Sequence, residues 1–129
     1  MHLAATIANT LWRASNIPAY SRFRRALRNP ELAQEQILRT YLNRNEGTAF
    51  GRTFHFEAIR NYHDFARRVP LADYDSFEPW IARIQNGEQD ILTRSSPSRL
   101  VPTSGSTRAR KLIPFTPDLQ HEFNQAIGP

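Results

Sequence analysis

The sequence predicts an α+β chain: a mainly helical stretch over residues 1–87, followed by a β-hairpin over residues 98–116. Three observations carry this. Apolar residues recur every three or four positions through the first two thirds of the chain. Asn-Pro and Asn-Gly pairs punctuate that region at helix boundaries. After Gly87 two short runs rich in Val, Leu, Ile, Phe and Thr flank a cluster of small residues.

The first helix is expected over residues 1–28, where Leu3, Ile7, Leu11 and Ala14 follow helical spacing. Pro18 is expected to break or kink it, after which Tyr20, Phe23 and Leu27 resume the spacing with arginines opposite. A second helix starts with Asn29 as N-cap, Pro30 at the first helical position and Glu31 at the positive end of the dipole. Ala33, Ile37, Leu38, Tyr41 and Leu42 form its apolar face, and Gly47 is expected to end it in a left-handed cap. The aromatic stretch "TAFGRTFHF" has no clear period and reads as loop with room for one helical turn.

Tyr62, Phe65, Ala66 and Val69 mark a short helix that Pro70 stops. The next is expected from about Asp75 to Asn86, with Asp75 and Glu78 at capping-box spacing, Pro79 in the first turn and Asn86-Gly87 closing it. Phe77, Trp80, Ile81 and Ile84 are its candidate core. Trp12 and the phenylalanines are also expected inside. "SRLVPTSG" and "RKLIPFT" read as two strands joined by a Ser/Thr/Gly loop, and Pro102 and Pro114 keep either from being interior along its whole length. Thr116 caps a last helix beginning at Pro117.

The composition narrows the function classes. The chain has 129 residues, 40% apolar and 22% charged, within the range of one ordinary domain. It contains no cysteine. Disulfides and thiolate metal sites are therefore excluded, and the chain is expected to be cytoplasmic. The net charge is +5. Residues 1–30 account for all of it, through Arg13, Arg22, Arg24, Arg25 and Arg28 with no acid among them. The rest of the chain carries no broad basic field, so nucleic acid is not an expected partner. The basic segment has the features of a mitochondrial transit peptide, but a packed amphipathic helix with a solvated basic face explains it as well. Stable membrane insertion is not expected, because no apolar run has the necessary length. A basic helical module for an anionic membrane surface or RNA is the alternative reading of this segment.

His2, His55, His63 and His121 share no ligand spacing, and no metal site is assigned to them. Asp73 with Asp75 is read as turn and cap rather than as an acid pair. The feature with chemistry in it is the run Thr103, Ser104, Gly105, Ser106 and Thr107, followed by Lys111, the one lysine of the chain. Hydroxyls, clustered backbone N–H groups and a glycine without Cβ can form an anion-binding concavity, and an ammonium adds a full charge. The Walker pattern is absent. On the residues alone, a polar hairpin turn and a phosphate loop both remain open.

"TSGSTRARK" resembles the phosphate-binding loop of adenylate-forming enzymes, with Arg108 where that loop usually has glycine and Arg110 where proline is frequent. The stretch "VPLADYDSFEPWIARIQNGEQDILTRSSPSRLVPTSGSTRARKLIPFTPDL" resembles the N-terminal region of the auxin-responsive (Gretchen Hagen) family of acyl-acid amido synthetases, especially bacterial members. "RNEGTAFGR" and "YHDFARRVP" match it in character. The resemblance covers nearly the whole chain and is strongest from Arg67 to Thr116. It implies the start of an adenylate-forming, mixed α/β large domain, with residues 1–129 a single incomplete domain.

The implied activity is a ligase that uses ATP and Mg²⁺ to convert a small-molecule carboxylic acid to an acyl-adenylate. The acyl group then passes to an amine or amino acid. Thr103, Ser104, Gly105, Ser106, Thr107 and Lys111 would hold the β- and γ-phosphates as pyrophosphate leaves. No catalytic residue is assigned, because a carboxylate is already a nucleophile toward the α-phosphate. Family enzymes are several times longer, so the chain is expected to be a fragment without ligase activity of its own.

Overall fold

The computed structural model describes residues 2–103 and 111–127. In chain order the elements are α1 (His2–Arg28), α2 (Pro30–Asn45), α3 (Ala49–Thr53), a 3₁₀ turn (Phe56–Ala58), α4 (Tyr62–Arg68), α5 (Tyr74–Gln85), β1 (Arg99–Pro102), β2 (Leu112–Phe115) and α6 (Pro117–Ile127). The architecture is α+β, helices with one two-stranded antiparallel hairpin.

Caps set most boundaries. The Asn29 side chain accepts from the Leu32 amide at 3.2 Å, and Asn61 accepts from the Asp64 amide at 3.0 Å. Thr116 Oγ1 accepts from the Leu119 amide at 3.1 Å, as its position before Pro117 predicts. Gly87 ends α5 at a φ of 86°, the left-handed conformation expected of it.

Several expectations are corrected. α5 begins at Tyr74, and its cap is Asp73 rather than Asp75: the Asp73 carboxylate takes the Ser76 amide at 3.1 Å and the Ser76 hydroxyl at 2.9 Å. The Ser76 pairing wins because one carboxylate satisfies both donors. With the helix starting there, Pro79 lies past the first turn. Gly47 is not in the left-handed region. α2 instead runs into a helical Glu46, and the chain turns at once into α3.

The aromatic stretch read as loop is the centre of the molecule. Thr48, only 1% exposed, caps α3: its Oγ1 accepts from the Gly51 amide at 2.9 Å and donates to the Asn45 carbonyl at 2.8 Å. That corner throws Phe50 inward, where its ring meets Phe54 at 4.6 Å, Trp80 at 5.5 Å, Phe77 at 5.8 Å and Phe56 at 5.9 Å between centroids. Leu42, Ile59, Ile81 and Ile91 are the buried aliphatic residues of this core. The segment after α5 returns to the same corner. Ala49 and Phe50 donate their amides to the carbonyls of Asp90 at 2.7 Å and Ile91 at 2.9 Å, and the Arg94 amide donates to Asn45 Oδ1 at 3.0 Å.

α1 departs most from expectation. It runs through Pro18 without a break. The lost i→i−4 bond evidently costs less than ending a helix that has room to continue. Without a break the helical phase is not reset. At about 100° per residue, Tyr20, Phe23 and Leu27 point roughly 160° away from Leu3, Ile7, Leu11 and Ala14. Arg22 and Arg25 fall on the side those first residues occupy. α1 therefore lacks the single apolar stripe that a helix lying flat on a membrane needs. Trp12 is not core but 62% exposed, and Phe23 and Phe123 are 58% and 57% exposed. Phe50, Phe54, Phe56 and Phe77 are half-buried in one cluster, and Phe65 and Phe115 are half-buried elsewhere. Among the described residues no helix is long and apolar enough to cross a membrane.

The corner makes opposite demands on its two glycines. A Cβ on Gly51 would lie 2.1 Å from the Asn45 carbonyl oxygen and 2.9 Å from that of Glu46, whereas one on Gly47 would meet nothing within 4 Å. Gly51→Ala is expected to lower unfolding free energy by about 1–3 kcal/mol, and Gly47→Ala to change it by less than about 0.5 kcal/mol. Urea unfolding of the two variants reads the contrast directly; equal midpoints would contradict the close approach.

Candidate functional site

The hairpin positions the candidate loop. β1 and β2 pair antiparallel with Arg99 opposite Phe115, Leu100 opposite Pro114, Val101 opposite Ile113 and Pro102 opposite Leu112. A two-stranded ladder leaves each strand an open edge, which is why two prolines are tolerated. At the outer end Ser98 donates its amide to the Phe115 carbonyl at 2.9 Å, and the Arg99 guanidinium lies 4.4 Å from the Phe115 ring centroid. At the loop end Thr103 donates its amide to the Lys111 carbonyl at 2.9 Å. Thr103 and Lys111 are therefore the two feet of the loop, drawn together by a hydrogen bond that continues the ladder.

Of the residues the sequence singled out, Thr103 and Lys111 are placed in this way and both are exposed. Ser104, Gly105, Ser106 and Thr107 lie outside the described residues, as do Arg108 and Arg110. Lys111 forms no salt bridge among the described residues. The Thr103 N–H is already taken by Lys111. It ties the two feet together rather than offering itself to an anion.

Sequence reasoning missed Tyr74. This residue opens α5, yet its hydroxyl reaches the hairpin. The Leu112 amide donates to Tyr74 Oη at 2.7 Å, and Tyr74 Oη lies 3.3 Å from the Leu112 carbonyl. The Lys111 ammonium sits 5.4 Å over the Tyr74 ring centroid. Tyr74 stands three residues before Phe77 and seven before Ile81, on the same helix face, so its spacing marks it as one more apolar-face residue and gives no sign of its reach to the hairpin. Beside it, the Ser76 hydroxyl and then the Ser76 amide hold the Asp73 carboxyl below its ordinary range, against weak desolvation and with a smaller contribution from the Lys111 charge.

Other polar groups are accounted for locally. His55 Nδ1 lies 3.2 Å from Glu57 Oε1, and His121 Nε2 lies 2.7 Å from Gln125 Nε2. Among the described residues no three His, Cys, Asp or Glu side chains gather to hold a metal ion. A cleft of about 250 Å³ runs between α2, α6 and the far end of β2. Its one cation, Arg44, is bound by Asp118 at 3.0 Å and Glu122 at 3.5 Å, so it offers no free charge to an anion. The Tyr41 hydroxyl donates to Glu122 at 2.8 Å, and that bond, followed by burial, raises its pKa.

Comparison with known proteins identifies a family. The model of the GH3 family N-terminal domain matches residues 19–128. The chain is 37% identical over 91 residues to the indole-3-acetic acid-amido synthetase GH3.17 of Arabidopsis thaliana, covering 68% of this chain and 15% of the relative. It is 35% identical over 89 residues to the indole-3-acetic acid-amido synthetase GH3.2 of the same plant, covering 67% of this chain and 16% of the relative, and 33% identical over 92 residues to GH3.8 of Oryza sativa subsp. indica, covering 70% and 15%. The chain thus spans about 15% of the length of the curated relatives it matches.

The Asp73 cap predicts a pH dependence. Its folded pKa is depressed, so its contribution is present above the unfolded value and is lost as pH falls through the folded one. Asn is as good a cap but does not titrate. Asp73→Asn is therefore expected to flatten the fall of unfolding free energy below the ordinary carboxylate range while changing little at pH 7. Parallel acid-unfolding curves for the two proteins would contradict this.

Proposed function

The chain belongs to the GH3 family, and we propose that it forms the N-terminal part of an ATP-dependent acyl-acid amido synthetase. The whole protein adenylates a small-molecule carboxylic acid and transfers the acyl group to an amine or amino acid. The single observation that carries this reading is the hairpin loop whose feet, Thr103 and Lys111, are bonded to one another with the Lys111 ammonium exposed and unpaired by any described carboxylate. That arrangement suits ATP with Mg²⁺: two loop feet held together and one full positive charge beside them answer the negative charge of a pyrophosphate leaving group. Ser104, Gly105, Ser106 and Thr107 supply the hydroxyls and amides, and Lys111 the charge.

Support also comes from the names of the relatives, which are amido synthetases of indole-3-acetic acid. Of the rival reading, a basic helical module for an anionic membrane surface or RNA, the membrane half is disfavoured by the two opposed apolar sides of α1. An isolated 129-residue chain that matches 15% of its relatives' length is proposed to bind nucleotide phosphate without turning it over.

The purified chain is accordingly expected to bind Mg²⁺–ATP weakly and to give no acid-dependent ATP–pyrophosphate exchange. Lys111→Ala is expected to weaken binding by about tenfold or more, the loss that follows from removing a charge-assisted hydrogen bond. Calorimetric titration and isotope exchange measure the two. Exchange by the isolated chain would refute its inactivity, and equal affinity in the alanine variant would remove the lysine from the site.

A further inference from the structure

Lys111 is the one lysine in the chain, and it stands at the foot of the loop beside a tyrosine from another element. A lysine at the end of a two-stranded hairpin has four rotatable side-chain bonds, so even with its carbonyl bonded to Thr103 its ammonium would sample a wide volume. Two contacts narrow that volume here, and both come from Tyr74. The Leu112 amide bonds to the phenol oxygen at 2.7 Å, pinning the main chain one residue from Lys111. The ring then offers its face to the ammonium at 5.4 Å, where the negative quadrupole attracts a cation without neutralising it.

A carboxylate in that place would hold the lysine more firmly, but it would also compete with an incoming phosphate. An aromatic face does not. The Asp73 carboxylate, which could have played the competing part, has two hydrogen bonds from Ser76 and makes no salt bridge with the lysine. The result is an ammonium held in place with its charge still available.

We propose that Tyr74 is the positioning residue of the phosphate loop: its hydroxyl anchors the loop's second foot to α5, and its ring seats the Lys111 ammonium for phosphate. The inference rests on the phosphate-loop reading above and adds a residue to it. Tyr74 does not touch the phosphate; it acts through Lys111. Because α5 also carries Trp80 and Ile81 into the aromatic core, Tyr74 connects the loop to the rigid centre of the chain.

A sole lysine makes the test specific. In the 129-residue chain with ¹³C-labelled lysine, the ε-methylene resonance of Lys111 is expected upfield of ordinary lysine because it lies over an aromatic ring. Tyr74→Leu should return it to the ordinary position. Tyr74→Phe, which keeps the ring and loses the anchor, should leave it between the two. Titration with Mg²⁺–ATP, and separately with pyrophosphate, should move the same resonance in the wild type. The affinity should fall roughly three- to tenfold in Tyr74→Leu and less in Tyr74→Phe, while the backbone amide spectrum away from the hairpin stays unchanged. A lysine resonance indifferent to Tyr74→Leu overturns the proposal. So does a wild-type affinity retained in both variants, even though the phosphate-loop reading would then stand. A wild-type lysine that responds to neither ligand overturns that reading, and the proposal with it.

Discussion

Much of the structure depends on one close approach, that of Gly51 to the carbonyls that end α2. Because residue 51 has no Cβ, α3 can turn directly off α2 with Thr48 bonded to both sides of the bend. Phe50 then falls into the centre of the aromatic cluster, and the first amides of α3 are left pointing at Asp90 and Ile91. The corner thus fixes α2, the aromatic core and the return segment together. α5 packs on that core through Phe77 and Trp80, and Tyr74 at its start reaches the hairpin. A path of direct contacts therefore leads from a buried glycine to an exposed lysine.

α1 shows how much one proline fails to do. Had Pro18 ended the helix, the second half could have rotated to bring Tyr20, Phe23 and Leu27 onto the side of Leu3 and Ile7. The helix continues, so the two apolar sets face opposite ways. Phe23 lines the open grooves shared with α2 and α6, whereas Leu3, Ile7 and Leu11 point elsewhere and remain exposed. Such a helix carries its apolar side chains on two sides rather than in one plane.

Where the sequence was legible, the signal was local and polar. Asn29, Asn61 and Thr116 cap helices because a short side chain with an oxygen acceptor can satisfy an amide three residues on, and that requirement is visible without any tertiary information. The hairpin was legible for a similar reason, since two β-rich runs around small residues have few other ways to fold. The stretch from Thr48 to Phe56 was not, because α3 is too short to show a period and its aromatic residues meet partners distant in sequence. Asp73 and Asp75 were confused because both stand three residues before a polar side chain; only the geometry decides which one caps. The family became legible through the order of whole segments, since Ser, Thr and Gly in a turn have two ordinary explanations. Tyr74 could not be found that way, as a side chain at the start of a helix reveals its partner only when the chain is folded.

The bond between Asn45 and the Arg94 amide joins residues 49 apart in sequence, and the amides of α3 wait on Asp90 and Ile91 in the same way. This gives the chain a schedule. On a ribosome, α1 and α2 emerge long before the segment that completes their corner, and until it arrives they can be no more than local helices with apolar sides in water. Closing that long loop is the slow step to be expected of an otherwise helical, locally connected chain. Once it closes, core, return segment and α5 lock together, and the hairpin that follows meets a finished surface to fold against.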